Sequence, residues 1–308
     1  MKIAITPRSF SKAGKVPYEL LAAAGYEVKE NNTGHSLNED QMIEFLGDCV
    51  GVIVGVDPLS RRVLESLPHL KAISKYGAGL DNVDLEAAKE LGIAVERAAG
   101  ANSRSVAELA IGLAFAVSRG ILFSGISTRK NGWERKMGYE LTGKTMGIVG
   151  LGAIGKEVAR MAHGLGMTVL GYDPYVSSED PTLKSYDVKV TTLEEIYAQG
   201  DFISLHSPLT EETRHMIDST SLSKMKKTTF LMNTSRGELV DEDALYDALV
   251  SGQIAGAAED VFSIEPAGDH KLLSLDNFIL TPHAGAFTKE ATERTGAMAA
   301  QNLIDLLK

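Results

Sequence analysis

The sequence has few of the features that mark secreted, membrane or nucleic-acid-binding proteins. Its single cysteine, Cys49, excludes an intramolecular disulfide and fits a reducing compartment, so we expect a cytoplasmic protein. The longest apolar stretch, Val106–Val117, contains Glu108 and is too short to span a bilayer. The net charge of -10 is unsuited to a polyanion, so we expect neither nucleic acid nor a membrane as a partner.

The 308 residues are 44% hydrophobic and 23% charged, which suits a globular protein with room for two domains. Short β-rich runs alternate with helical patterns, as in parallel, doubly wound sheets. The first series of predicted strands is Lys2–Thr6, Tyr26–Lys29, Val50–Val54, Lys71–Lys75 and Ile93–Val95. The second series is Thr145–Val149, Thr168–Tyr172, Phe202–Leu205, Thr229–Met232, Ile254–Ala258 and Phe278–Leu280.

One predicted helix is apolar on nearly every face. It begins with the capping-box pattern Ser105-Val106-Ala107-Glu108 and ends near Arg119. A helix with so little polar surface has to be covered on most sides. Either it is a central core helix, or a second subunit covers what its own domain leaves bare. The C-terminal stretch Lys289–Leu307 is also helical, and its return to the first domain would make that domain discontinuous.

The strongest local signal is a glycine-rich turn between a predicted strand and a predicted helix. Gly150, Gly152 and Gly155 have the G-x-G-x-x-G spacing, which permits a tight turn, the approach of a pyrophosphate and close packing of the helix. Asp173 ends the next strand, 18 residues after Gly155, where an acid binds the adenosine ribose and repels a 2′-phosphate. No cation follows it until Lys184. The pattern predicts a Rossmann-type domain that binds NAD rather than NADP.

Three later segments each place a polar residue, Arg236, Glu265 or His283, after a predicted strand. Ligands bind at the carboxyl ends of strands in doubly wound sheets, so we expect these residues to converge. Histidine can accept and return the hydroxyl proton of a 2-hydroxy acid, and a carboxylate beside it favours imidazolium. The planar arginine fork can hold a carboxylate or a carbonyl oxygen.

Each of the three residues also has an ordinary structural interpretation, as a surface ion-pair partner, a solvated turn residue or a packed loop histidine. Their joint occurrence after successive strands, downstream of the glycine motif, argues for a shared site. No cluster of cysteine and histidine suggests a metal, so none is expected.

With these motifs in place, the chain resembles the D-isomer-specific 2-hydroxyacid dehydrogenases over nearly its whole length. The segments that carry the resemblance are Tyr76–Asp84, Asn102–Glu108, Gly150–Gly155 with Asp173, His206–Thr210, Asn233–Gly237, Asp260–Phe262 and Glu265–Pro266 with His283.

The resemblance implies a catalytic triad of Arg236, Glu265 and His283. It also implies that amides around Gly77, Ala78 and Gly79, together with Arg236, bind the substrate carboxylate in a cleft between domains. The implied cofactor contacts, with Asp260 near the carboxamide, are Gly150, Gly152, Ala153, Ile154, Gly155, Asp173, His206, Pro208, Thr234 and Asp260. Members of the family are commonly dimers joined through the cofactor domain, so a homodimer is expected.

The substrate is less well defined. The resemblance aligns Gly55 with a position at which phosphoglycerate dehydrogenases carry an arginine suited to the substrate phosphate, and glycine offers no charge. Many of those enzymes also have a regulatory domain, for which no residues follow Lys308. We expect glyoxylate, hydroxypyruvate or a related 2-keto acid. The alternatives are an NAD-sensing, corepressor-like binding protein and a dehydrogenase of a non-carbon anion such as phosphite.

We therefore predict an α/β protein with two doubly wound parallel sheets. A Rossmann-type NAD-binding domain would cover residues 99–286. A flavodoxin-like substrate domain would comprise residues 1–98 and 287–308.

Overall fold

The computed structural model describes all 308 residues and divides into two compact units. The first unit comprises residues 1–102 and 286–308, and the second comprises residues 103–285. The chain thus crosses between units four residues after the first predicted boundary and one residue before the second.

The first unit is a five-stranded parallel sheet with helices on both faces. Its strands are β1 (Lys2–Ile5), β2 (Glu27–Glu30), β3 (Gly51–Val54), β4 (Ala72–Lys75) and β5 (Ala94–Arg97), in the order β2-β1-β3-β4-β5. Its helices are α1 (Val16–Ala23), α2 (Glu39–Leu46), α3 (Arg61–Glu65), α4 (Leu85–Glu90) and α12 (Lys289–Leu306). This is the flavodoxin strand order, which confirms the predicted fold class for this unit.

The C-terminal helix α12 packs on the sheet of the first unit. The side chain of Thr288 caps it by accepting a hydrogen bond from the amide of Ala291, at 3.1 Å. The hydroxyl of Ser74, inside β4, donates to the carbonyl oxygen of Ala299 at 2.8 Å. Leu303 is fully buried, so this helix completes one of the two apolar layers of the unit.

The second unit is a seven-stranded parallel sheet. Its strands are β6 (Thr145–Val149), β7 (Thr168–Tyr172), β8 (Val188–Val190), β9 (Phe202–Leu205), β10 (Phe230–Asn233), β11 (Gly256–Glu259) and β12 (Phe278–Leu280), in the order β12-β11-β10-β9-β6-β7-β8. Its helices are α5 (Ser103–Ser118), α6 (Ile121–Arg129), α7 (Ala153–Gly164), α8 (Pro181–Ser185), α9 (Leu193–Gln199), α10 (Ser219–Ser223) and α11 (Glu242–Ser251). This is the Rossmann order with a seventh strand, and it confirms the prediction for the second unit.

Helix α5 begins at Ser103, two residues before the predicted cap. It packs against α7, β10 and β11, and its buried side chains include Val106, Leu113 and Val117. No single helix of the chain is long and apolar enough to cross a membrane. Helices α5 and α6 taken together have the length and composition of a membrane span, but they are bent by 65° relative to each other.

Candidate active site

The glycine loop after β6 has the geometry that its three glycines predict. Gly150 has a φ of +96°, and a Cβ on it would lie 2.6 Å from the carbonyl carbon of His206. A Cβ on Gly155 would lie 2.0 Å from the carbonyl oxygen of Gly150, so the helix can approach the strand this closely only with glycine. A Cβ on Gly152 would meet nothing within 4 Å, so space is open in front of the first amides of α7.

Asp173, just beyond β7, lies beside this loop. Its Oδ2 accepts a hydrogen bond from the amide of Leu151 at 2.9 Å, and its Oδ1 accepts one from the amide of Tyr175 at 2.9 Å. These bonds fix the carboxylate at the end of the strand. The first lysine after Asp173 is engaged elsewhere, because Lys184 pairs with Glu179, and Lys156 of α7 pairs with Asp180.

Two buried polar atoms lie at the ends of the next strands without hydrogen-bond partners. They are Nδ1 of His206, after β9, and Oγ1 of Thr234, after β10. Nε2 of His206 lies 2.8 Å from the hydroxyl oxygen of Ser204. Burial lowers the pKa of His206 to about 3, so its ring is neutral at physiological pH. Pro208 follows in the same loop, where its carbonyl accepts from the hydroxyl of Thr213 at 2.8 Å.

One hydrogen bond and one close backbone contact join the loops after β9, β10 and β11. The hydroxyl of Ser235 donates to the carbonyl of Ser207 at 2.5 Å. Gly237 is buried, and a Cβ on it would lie 2.0 Å from the carbonyl carbon of Phe262. The loops that carry Arg236 and Glu265 therefore pack with their backbones in contact.

Asp260 holds the loop of His283, a contact that the sequence did not reveal. Its Oδ1 accepts hydrogen bonds from the amide of Ala284 at 2.8 Å and the hydroxyl of Thr281 at 2.5 Å. Its Oδ2 accepts one from the amide of Gly285 at 2.7 Å, and its carbonyl accepts from the amide of His283 at 2.9 Å. His283 is held in the left-handed region, with a φ of +51°, which is a strained backbone for histidine.

Glu265 and His283 meet although 18 residues separate them. Nδ1 of His283 lies 2.9 Å from Oε2 of Glu265, and Oε1 of Glu265 accepts from the amide of Phe262 at 3.1 Å. The carboxylate can only accept, so Nδ1 carries the hydrogen and Nε2 is left for proton exchange.

This contact shifts the pKa of both groups. The hydrogen bond to Glu265 raises the pKa of His283, against the opposing effects of burial and the charge of Arg236. Burial acts to raise the pKa of Glu265, but the hydrogen bond and charge of His283, with the charge of Arg236, hold it below its usual range. The pair therefore favours imidazolium next to carboxylate.

Arg236 follows β10 and exerts its charge on both members of this pair. The side-chain amide of Asn233 donates to the carbonyl of Arg236 at 2.9 Å, and Nη1 of Arg236 donates to the carbonyl of Ser235 at 2.7 Å. Arg236, Glu265 and His283 thus follow three adjacent strands and act on one another, as the sequence predicts.

The predicted substrate-carboxylate loop lies in the first unit. Gly77 has a φ of +135°, and Arg97 fastens the loop through Nη1, which donates to the carbonyl of Ala78 at 3.0 Å. The amides of Ala78 and Gly79 form no backbone hydrogen bond. Two neighbouring amides of this kind can bind an anion. No group of three or more His, Cys, Asp or Glu side chains in the chain could hold a metal ion.

Comparison with known proteins identifies the family. Residues 111–285 match the model of the D-isomer specific 2-hydroxyacid dehydrogenase NAD binding domain. The chain belongs to the D-isomer specific 2-hydroxyacid dehydrogenase family. The match confirms the predicted resemblance. The family consists of NAD-dependent oxidoreductases.

Relatives in this family have several activities. The chain is 43% identical to the hydroxypyruvate reductase of Thermotoga maritima over 270 residues, which cover 86% of this chain and 87% of the relative. It is 42% identical to the D-3-phosphoglycerate dehydrogenase of Methanocaldococcus jannaschii over 285 residues, which cover 92% of this chain and 54% of the relative. It therefore spans about half the length of the phosphoglycerate dehydrogenase. The apo-structure of D-lactate dehydrogenase from Escherichia coli superposes with a TM-score of 0.86 at 32% identity, covering 100% of this chain and 97% of the other.

The second unit fits the dinucleotide that this family uses. Gly150, Gly152 and Gly155 form a glycine cradle with open space at Gly152. Two buried atoms, Nδ1 of His206 and Oγ1 of Thr234, have no hydrogen-bond partner. Both features suit a polar ligand bound along the carboxyl ends of β6, β9 and β10. The exposed Ala153 and the half-buried Ile154 are the first two residues of the helix that follows, α7.

Proposed function

We propose that the chain is an NAD-dependent dehydrogenase that transfers a hydride between the nicotinamide and C2 of a small D-2-hydroxy acid or 2-keto acid. The observation that carries the proposal is the 2.9 Å contact between His283 and Glu265, which also experiences the charge of Arg236. These residues follow strands of the same parallel sheet as the glycine loop, at the carboxyl ends of the strands. NADH, when bound, supplies the hydride for reduction of the keto acid.

His283 is proposed as the general acid and base. Its Nε2 would protonate the oxygen at C2 in reduction and would accept the hydroxyl proton in oxidation. Glu265 would orient the ring and favour its charged form. Arg236 would hold the carboxylate and polarise the carbonyl oxygen.

The test is a screen of NADH oxidation with glyoxylate, hydroxypyruvate, pyruvate and related 2-keto acids. We expect turnover with at least one of them, and loss of that turnover in His283→Ala. NADH binding without turnover across the panel would contradict the proposal and would favour the NAD-sensing binding protein. Reduction of NAD by phosphite, with water supplying the added oxygen of phosphate, would favour the non-carbon dehydrogenase.

We further propose that the substrate carries no phosphate. Gly55 offers no charged side chain, and its carbonyl accepts from Nζ of Lys75 at 2.5 Å. The same ammonium donates to Oδ1 of Asn82 at 2.5 Å, and Lys75 is only 8% exposed. Since a phosphate dianion calls for several cationic contacts, an ammonium engaged in this way argues against it.

The similarity to hydroxypyruvate reductases and to phosphoglycerate dehydrogenases is nearly equal, so the substrate needs a direct measurement. We expect kcat/KM to be higher for hydroxypyruvate than for 3-phosphohydroxypyruvate under the same conditions. The reverse preference would mean that other cations bind the phosphate.

A homodimer is the proposed assembly. Large apolar side chains are exposed along α6 and the segment after it, including Trp133 at 85% and Met137 at 96%. A second copy of the chain would cover this surface. Light scattering after gel filtration should give twice the chain mass, and Trp133→Glu with Met137→Glu should give monomers. Leu91→Glu, at an exposed apolar residue of the first unit, is the control and should leave the mass unchanged.

A cytoplasmic location is also proposed. The thiol of Cys49 is buried and free, and burial raises its pKa, so it is unreactive and needs no oxidising compartment. Recovery of the native protein in the cytosolic fraction is expected, and recovery in a secreted or organellar fraction would contradict it.

A further inference from the structure

Glu259, the last residue of β11, is a buried acid that the proposed chemistry does not use. It is 0% exposed, and neither of its carboxyl oxygens has a hydrogen-bond partner. A carboxylate in such a place is costly, so the group keeps its proton instead. Burial first, and then the charge of Glu242, raise the pKa of Glu259 well above its usual value, although the amide of Asn233 acts in the opposite direction.

The position of Glu259 links it to two of the three catalytic loops. Its register partner on β10 is Asn233, whose side chain accepts from the amide of Ser235 at 3.1 Å and donates to the carbonyl of Arg236 at 2.9 Å. On the other side, the carbonyl of Glu259 accepts from the amide of Thr281 at 2.9 Å, where the loop of His283 begins.

We propose that Glu259 is a positioning residue, whose neutral acid leaves the loops of Arg236 and His283 undisturbed and whose ionisation would displace them. The inference rests on the proposed dehydrogenase function. Loss of the proton would leave a buried charge beside Asn233. The side-chain amide of Asn233, the register partner of Glu259 on β10, is a donor that could turn toward that charge, and its turn would release the carbonyl of Arg236.

The neighbouring elements offer no cation to neutralise an ionised Glu259. Helix α11 contributes Glu242, whose oxygens bind the amide of Ser263 at 2.8 Å and Nε2 of His270 at 3.3 Å. Strand β10 contributes Asn233, and β12 contributes Leu280, the apolar register partner. Asp260, the next residue, accepts hydrogen bonds from the amides of Ala284 and Gly285 in the loop of His283.

The first test is the pH dependence of 2-hydroxy acid oxidation by NAD. In this direction His283 has to be neutral, so its own titration gives a rise with pH, and a fall at alkaline pH reports a different group. We expect the parent enzyme to lose kcat at alkaline pH and Glu259→Gln to lack that fall, with activity near neutral pH within a few-fold of the parent.

Glu242→Gln should move the alkaline fall to lower pH, because the negative charge that raises the pKa of Glu259 is gone. The alkaline fall should disappear in Glu259→Gln and move to lower pH in Glu242→Gln, a contrast that a general loss of stability would not produce. If Glu259→Gln fails to fold, the shift in Glu242→Gln still tests the mechanism. Asp247→Asn, on the exposed face of α11, is the matched control and should keep the parent profile.

The second test needs no turnover. The ring signals of His283 in NMR spectra should show an additional alkaline titration step in the parent protein and none in Glu259→Gln. Identical alkaline behaviour of parent and Glu259→Gln in either test would overturn the positioning role. If no 2-hydroxy acid is oxidised, the proposed function fails, and the His283 signals still decide the role of Glu259.

Discussion

Nδ1 of His283 lies 2.9 Å from Oε2 of Glu265, and this bond joins two loops that follow different strands of the sheet. It sets the tautomer of the ring, because the carboxylate accepts only from a protonated nitrogen. It also raises the pKa of the imidazole toward the range in which a group can act as an acid at neutral pH.

Glu265→Gln should move the pH profile of keto-acid reduction to lower pH. Reduction needs protonated His283, and the bond to Glu265 is the largest cause that raises its pKa. Without the carboxylate, the ring loses its proton at a lower pH, so kcat/KM begins to fall earlier as the pH rises. The measurement is kcat/KM against pH for both proteins. A profile with an unchanged midpoint would mean that Glu265 does not control the proton of His283.

His283→Ala should lower kcat by about 10²–10⁴-fold, the usual effect of losing a general acid. The dissociation constant of NADH, measured by fluorescence titration, should stay near the parent value, since the glycine cradle follows a different strand. His69→Ala is the control, because His69 is exposed and belongs to the first unit. Retention of most of the parent kcat would remove His283 from the chemistry.

The sheets and the glycine turn could be predicted from the sequence because their signals are local. Strands β6 and β9 are short, mostly apolar runs, and the sequence predicts both at their observed bounds. The three-residue strand β8 was missed, since Val188–Val190 is half-buried at the edge of the sheet. Helix α6 was missed because Ile121–Arg129 buries no residue and shows no clear apolar face.

The sequence predicts the residues of the candidate site, but it does not predict the contacts that position their loops. Arg236, Glu265 and His283 each follow a strand, which the sequence reveals. Two of these contacts form only when the strands are adjacent. Asp260 accepts a hydrogen bond from the amide of Ala284, 24 residues later, and Gly237 lies against the backbone of Phe262. The catalytic roles themselves stay predictions.

Arg236→Lys should impair the enzyme severely although the charge is kept. Lysine has no planar fork, so it cannot hold the carboxylate and the carbonyl oxygen together. We expect KM for the keto acid to rise and kcat to fall. Arg214→Lys, at a surface arginine of the same unit, should be neutral. Parent values of both constants in Arg236→Lys would make the arginine structural.

Asp173 should set the choice of cofactor. Its carboxylate is fixed beside the glycine loop, and Lys156 and Lys184 are paired with other acids, so a 2′-phosphate would meet a negative charge. We expect kcat/KM to favour NADH over NADPH by more than about tenfold, which corresponds to about 1.4 kcal/mol. Asp173→Ser should narrow this ratio, mainly by weakening NADH. Equal use of both cofactors by the parent would contradict the assignment.

Gly237→Ala should separate the loops of Arg236 and Glu265 without touching a catalytic side chain. The added Cβ would lie 2.0 Å from the carbonyl carbon of Phe262 and 2.2 Å from the amide nitrogen of Ser263, and these are backbone atoms that cannot rotate away. The amide of Phe262 also binds Glu265, so a displacement reaches both loops. A misplacement of about 1 Å costs about 10²-fold in rate, and we expect a loss of this size in kcat/KM.

The matched control for this variant is Gly164→Ala, at the end of α7, where a Cβ would meet nothing within 4 Å. It should keep full activity and be as stable as the parent or slightly more so, since alanine restricts the unfolded chain. NADH affinity should survive in Gly237→Ala, because the cradle at Gly150–Gly155 is distant in sequence and follows β6. Thermal unfolding of both variants, followed by circular dichroism, separates a local displacement from global unfolding. A Gly237→Ala protein with parent kcat/KM would show that the two loops do not need their close contact for catalysis.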